Sequence, residues 1–267
     1  MSVFVPGSVP PSNLTFEGLP PNTPGWKPAE RLEIPPGQVH IWYQLTEWMG
    51  TSTLTEARAL LSAEERSRCD RYRLARDRRD YTAAHALLRS SLSRYCEIEP
   101  RSWTFETGPR GKPELRVRQG ETVLTPHFSL SHACGTVACA IAADAAIGID
   151  VERTDVAFDY SPLASRYCSD EEIAQLNRCS PQDRSIRFIE MWTLKEAYLK
   201  ATGQGLSESL RDVGFSVDGD RVHFLPTGNV RTDAWHFAVF TVAPRARIGV
   251  AVNCRDTPAW TLQRVAP

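Results

Sequence analysis

Several things are missing from this 267-residue chain, and each absence narrows its class. No apolar run approaches the roughly 18–20 residues that a membrane-crossing helix needs, which argues against an integral membrane protein. The start, Met1-Ser2-Val3-Phe4-Val5-Pro6, has no basic stretch and no long apolar core. No secretory signal is legible there, and a cytoplasmic location is expected. The seven cysteines are odd in number and irregularly spaced, with no CxxC pair. That pattern argues against zinc and reads as reduced thiols, mostly small core residues. Cys134, two residues past His132, keeps a Cys–His nucleophile as an alternative. Positive charge is not in excess, since 31 Lys and Arg face 32 Asp and Glu for a net charge of −1. A general nucleic-acid binder would be basic. Lysine itself is scarce: Lys27, Lys112, Lys195 and Lys200 stand against 27 arginines. Three of the four fall in the motifs below, which suggests that a compact ammonium is wanted at those places.

What is present is an ordinary globular composition, 42% hydrophobic and 24% charged, in a length that suits one large or two small domains. Residues 1–36 hold nine of the 19 prolines and read as a tail draped over the surface or partly disordered. Residues 256–267 also read as a peripheral tail. Between them the chain repeats an order of elements. Ser62-Ala63-Glu64-Glu65 and Ser169-Asp170-Glu171-Glu172, 107 residues apart, are both capping boxes that open helices. A second helix follows each, around 77–95 and 184–201. Then come β-like runs. Trp103-Thr104-Phe105 answers Gly214–Val217, and Val137–Ile141 answers Ile248–Val252. An α+β chain can show such echoes without duplication. The expected fold is nonetheless α+β, with two similar lobes, 37–146 and 147–255, related by a pseudo-twofold axis and a site in the cleft between them. A second lobe in the place of a partner implies a monomer.

Five stretches carry candidate chemistry. In Ile147-Gly148-Ile149-Asp150-Val151-Glu152 the alternation reads as a strand, with Ile149 and Val151 toward a core and Asp150 and Glu152 together on the other face. Adjacent carboxylates repel unless a cation sits between them, and oxygen-only ligands suit Mg²⁺; the alternative is a solvated strand face. Residues 191–203, MWTLKEAYLKATG, read as a helix end stopped by Gly203. Met191, Leu194, Tyr198 and Ala201 fall on its core side, and Trp192, Glu196 and Lys200 on another stripe. Glu196 and Lys200 are either an i,i+4 surface pair worth about 0.3–0.5 kcal/mol or part of a metal–phosphate site with Asp150 and Glu152. In Phe128-Ser129-Leu130-Ser131-His132 a strand presents its serines opposite Phe128 and Leu130, and ends where Ser131 and His132 meet a phosphate or serve structure alone. Arg110-Gly111-Lys112-Pro113 reads as a turn presenting two cations. Residues 66–94, with nine Arg against three Asp, are either a solvated helix face or a site for an anionic ligand.

Taken together, GKP, FSLSH, GIDVE and WTLKEAYLKATGQGL, in that order over residues 60–217, resemble the Sfp-type 4′-phosphopantetheinyl transferases. The resemblance implies two pseudo-symmetric α+β lobes with coenzyme A in the cleft. It implies transfer of 4′-phosphopantetheine to a serine of an apo acyl, peptidyl or aryl carrier protein, with release of adenosine 3′,5′-bisphosphate. By resemblance, Asp150, Glu152 and Glu196 hold Mg²⁺, and Glu196 and Lys200 are catalytic. Lys200 also contacts phosphate. Arg68, Arg110, Gly111, Lys112, Ser131 and His132 hold the 3′-phosphate and adenosine end. Lys195 serves phosphate or the surface and is left out of the site. The carrier belongs to fatty-acid, polyketide or non-ribosomal peptide synthesis, with no nucleic acid or membrane as partner. Three alternatives stand beside this reading. One is a coenzyme A or nucleotide-binding module without turnover, one a domain whose basic stretch binds acidic partners, and one another Mg²⁺-dependent phosphotransferase.

Overall fold

A computed structural model describes residues 31–108, 113–115, 126–133, 135–155, 159–203, 209–228, 230, 234–242 and 245–265. The described chain falls into two compact units, one of residues 145–258 and one of the preceding residues joined by the last strand. No helix among the described residues is long and apolar enough to cross a membrane.

The N-terminal unit runs β1 (Gln38–Leu45), α1 (Thr51–Leu60), α2 (Ala63–Asp70), α3 (Ala75–Leu92), β2 (Phe105–Thr107), β3 (Pro113–Leu115), β4 (His127–Ala133) and β5 (Thr136–Ala142). β1 pairs antiparallel with β5, β5 pairs antiparallel with β4, and β2–β3 is a separate hairpin. α3 lies on the sheet through Leu87, Leu88 and Leu92, which pack with Trp42, Cys139 and Ile141. The C-terminal unit runs β6 (Ala146–Arg153), α4 (Ser161–Tyr167), α5 (Asp170–Arg178), α6 (Pro181–Thr202), β7 (Val213–Asp218), β8 (Arg221–Pro226), β9 (Trp235–Val242) and β10 (Ala246–Asn253). Its sheet, β6–β10–β9, is antiparallel, and β7–β8 is again a separate hairpin. One strand, three helices, a hairpin and two more strands therefore occur twice, with the last strand between the other two in each sheet. The fold class is α+β, as expected, and the repeated element order is present in the topology.

Local sequence explains the element ends. Ser62 and Ser169 each accept from the amide three residues on, while Glu65 and Glu172 accept from the serine amides, so both capping boxes are closed. α6 opens on Ser180 with Pro181 in its first turn, and it stops at Gly203, whose φ of 65° suits a residue without Cβ.

Two expectations need correction. Residues 256–267 contain β11 (Ala259–Arg264), which runs parallel to β1 from Gln38↔Ala259 to Tyr43↔Arg264. Trp260 and Gln263 on it are buried, so this segment is an integral strand and not a tail. The strand expected at Trp103 begins only at Phe105, because a 3₁₀ turn at Pro100–Ser102 precedes it and the Trp103 indole donates to Ser93 Oγ at 2.8 Å. Most of the expected 1–36 tail lies outside the described residues. Its end, with Leu32 and Ile34, packs against the N-terminal core.

Candidate functional site

The first candidate site lies wholly in the C-terminal unit. Strand alternation buries Ile149 and Val151 on one side of β6 and turns Asp150 and Glu152 to the other. That other side is not solvated, because α6 lies on it. Glycine makes the close approach possible: a Cβ on Gly148 would stand 2.6 Å from Ala201 N and overlap Ala197 O. One on Gly249, opposite Asp150 on β10, would stand 2.7 Å from Thr193 O. Both contacts are with helix backbone, which cannot swing aside as a flexible side chain can.

With the helix seated this way, four of the expected residues converge. The Lys200 ammonium reaches across to Asp150 Oδ1 at 2.7 Å and so is not confined to an i,i+4 surface pair with Glu196. Asp150 is only 6% exposed. The Trp192 side chain, one turn before Glu196, hydrogen-bonds Glu152. Burial and the neighbouring Asp150 charge push Glu152 up to about 7; Glu196 adds to this, and Lys200 and Trp192 oppose it. Glu196 is also raised, by burial first and Asp150 second, against the pull of Lys200. Three carboxylates in a half-dry place with one ammonium form a site short of positive charge. Among the described residues no three His, Cys, Asp or Glu side chains stand ready-arranged as a metal cage.

Lys195, the neighbour of Glu196, goes elsewhere. It is 1% exposed, and its Nζ lies 2.8 Å from Glu172 Oε2 and 2.6 Å from the carbonyls of Leu210 and Val213. It serves neither phosphate nor the surface, and instead ties α5 and α6 to the start of β7. Its partner is the glutamate of the second capping box, whose Oε2 accepts from both Ser169 N and Lys195 while Oε1 accepts from Phe215 N.

The second candidate site is a cavity of about 710 Å³ in the N-terminal unit, lined among others by Arg68, Arg71, His85, Arg89, Phe105 and His132. Arg68 comes from the last turn of α2 and His132 from β4. Ser131 is buried, and alternation along β4 sends it to the face opposite His132. Arg110, Gly111, Lys112 and Cys134 lie outside the described residues. The wall holds residues that the motifs did not mark. Tyr72, Tyr81 and His85 stack in a row, with Tyr81 and His85 ring centres 4.2 Å apart. Arg89, 1% exposed, donates to Glu65 Oε2 at 3.0 Å and to the Pro100 and Trp103 carbonyls at 2.9 Å, and its guanidinium lies 5.1 Å from the Phe105 ring centre.

Comparison with known proteins shows the family. Residues 146–252 match the model of the 4′-phosphopantetheinyl transferase superfamily, and residues 46–145 match that of the 4′-phosphopantetheinyl transferase N-terminal region. The 4′-phosphopantetheinyl transferase HetI of Nostoc is 35% identical over 184 residues, which is 68% of this chain and 76% of that one. A putative 4′-phosphopantetheinyl transferase of Synechocystis is 32% identical over 67% of this chain and 72% of its own. The 4′-phosphopantetheinyl transferase Sfp of Bacillus subtilis is 29% identical over 56% and 63%, respectively. The chain belongs to the Sfp-type 4′-phosphopantetheinyl transferase family.

Proposed function

We propose that this protein transfers the 4′-phosphopantetheine group of coenzyme A to a serine of an apo carrier protein in a Mg²⁺-dependent reaction that releases adenosine 3′,5′-bisphosphate. The observation that carries the reading is the meeting of Asp150, Glu152 and Glu196 with Lys200 under α6. The donor set fits Mg²⁺: all three groups are carboxylates, and the charge they place in a half-dry site is what a hard divalent cation relieves. Bound there, the cation supplies charge neutralisation for the pyrophosphate.

The residues of the chain do the rest. Asp150 and Glu152 from β6 and Glu196 from α6 hold the cation. Glu196, whose proton affinity is raised by burial and by Asp150, accepts the proton of the carrier serine, directly or through a water. The serine oxygen then bonds to the β-phosphorus, and the bridging bond to the adenosine bisphosphate breaks with its electron pair on the leaving phosphate. Lys200 is a point charge for the phosphate oxygens, where fixed positive charge stabilises the transition state. At the nucleotide end Arg68 and His132 line the cavity that takes the 3′-phosphate and adenosine; Arg110, Gly111 and Lys112 are further ligands for the phosphate, and Ser131, on the opposite face of β4, supports the strand from its buried side. The carrier is an acyl, peptidyl or aryl carrier protein, and the enzyme acts as a cytoplasmic monomer.

Incubation with coenzyme A, Mg²⁺ and a panel of apo carrier proteins, read by intact mass, tests this. The expected result is a gain of one phosphopantetheine mass that EDTA abolishes. No gain with any carrier, or an unchanged gain in EDTA, overturns it.

A further inference from the structure

The face of β6 that carries the carboxylates adjoins a second charged cluster that the reaction does not use. Arg247 stands directly across the ladder from Glu152. Cross-strand neighbours share one face with Cβ atoms about 4.5–5.5 Å apart, and opposite charges so placed ordinarily pair. Here they do not. Arg247 Nε donates to Glu190 Oε1 at 2.9 Å, and the other oxygen of Glu190 stands 3.1 Å from Arg187. The Arg247 and Glu190 side chains are 14% and 13% exposed. Glu190 sits on α6 two residues before Trp192, whose side chain takes the bond to Glu152.

The consequence is a division of charge. The carboxylate cluster has one ammonium for three acids, while two guanidinium groups share the single acid Glu190. A guanidinium fork fits a carboxylate bidentately and would cover the oxygens that a cation needs. We propose that Glu190 is a positioning residue that holds Arg247 away from Glu152 and so keeps that carboxylate open to the divalent cation. The inference rests on the reading of Glu152 as a cation ligand.

The test is Mn²⁺ binding to the full chain with saturating coenzyme A, followed by the electron paramagnetic resonance signal of free Mn²⁺. Glu190→Gln should weaken Mn²⁺ at least fivefold. Glu190→Gln with Arg247→Gln should restore it to within twofold of the parent. Glu190→Gln with Arg187→Gln carries the same net charge but leaves Arg247 released, and it should stay weak. Arg247→Gln alone should bind at least as tightly as the parent, a check that stands even if Glu190→Gln misfolds. Unchanged affinity in Glu190→Gln, restoration by either arginine change alike, or weaker binding in Arg247→Gln overturns the proposal. Glu152→Gln separates the two levels. If it leaves Mn²⁺ affinity unchanged, the ligand reading itself fails. If it weakens Mn²⁺ while Glu190→Gln does nothing, only the positioning role fails.

Discussion

The two units use one frame and furnish it differently. In each, the glutamate of a capping box reaches a buried cation on the long helix, and that cation donates to carbonyls in the segment after the helix. The pairs are Glu65 with Arg89 and Glu172 with Lys195. Five residues further on, Arg94 in the N-terminal unit stacks over Trp42 at 5.2 Å, and Lys200 in the C-terminal unit meets Asp150 at 2.7 Å. Trp42 and Asp150 are each the fifth residue of an eight-residue strand. Across the ladder Trp42 faces Cys139, whereas Asp150 faces Gly249. One copy fills the space with an indole and becomes core. The other fills it with carboxylates, thins the partner strand to glycine, and becomes a site. The frame supplies rigidity in both units, while the chemistry depends on which side chains occupy the strand beneath the helix.

The ties themselves differ in solvation. Glu172 is completely buried, and burial raises its pKa against the pull of Lys195. Glu65 borders the cavity. Burial works upward on it too, but the His85 hydrogen bond and the Arg89 and His85 charges outweigh it and hold Glu65 at about 2.

The largest expected effect tests that contrast. Lys195→Met strands a fully buried carboxylate and should cost about 3–5 kcal/mol in urea unfolding. Arg89→Met should cost clearly less, because Glu65 keeps His85 and can take water from the cavity. Equal losses would break the comparison. Next, Glu196→Gln and Lys200→Gln should each cut turnover about a hundredfold, roughly 3 kcal/mol of transition-state stabilisation, with little change in melting temperature. Only Glu196→Gln should raise the Mg²⁺ demand; an equal rise in both would mean that their roles are not separate. Lys195 and Lys200 would then divide α6 into a structural and a functional lysine.

The third test uses acid. The folded pKa of Glu65 lies below its ordinary 4.5, so its stabilisation is complete above about pH 4.5 and is lost as pH falls toward about 2. That loss should amount to some 2–3 kcal/mol over this window and be missing from Glu65→Gln, as read by the pH dependence of unfolding. A parallel pH dependence in both proteins would remove the Glu65 tie. The smallest effect closes the comparison. Arg94→Ala should lose only about 0.5–2 kcal/mol of stability and leave turnover unchanged. A large loss of turnover would mean that the N-terminal copy of the frame also takes part in chemistry.

Much of this was legible in the chain, because the devices involved act over a few residues. The capping boxes, the Gly203 stop and the alternation of GIDVE each bias the local backbone, and each appears where its residues stand. The stripe of Trp192, Glu196 and Lys200 was readable for the same reason. Other features were not. Lys195 offered a phosphate or a surface reading, and no neighbour along the chain pointed to its buried tie with Glu172. The wall of Tyr72, Tyr81 and His85 and the shared face of Glu152 and Arg247 appear only when distant segments meet.

The sequence by itself determined the kind of elements, their repeated order, the two acidic and basic motifs and the family they resemble. Tertiary structure alone decided which charge meets which. It sent Lys200 to an aspartate 50 residues away, Lys195 to a capping glutamate and Arg247 to Glu190, and it made the last residues a strand beside β1. The reason is physical. Helix caps and strand alternation are set by neighbours along the chain, whereas a buried charge or an open strand edge takes whatever partner folding brings within hydrogen-bond reach once water is excluded.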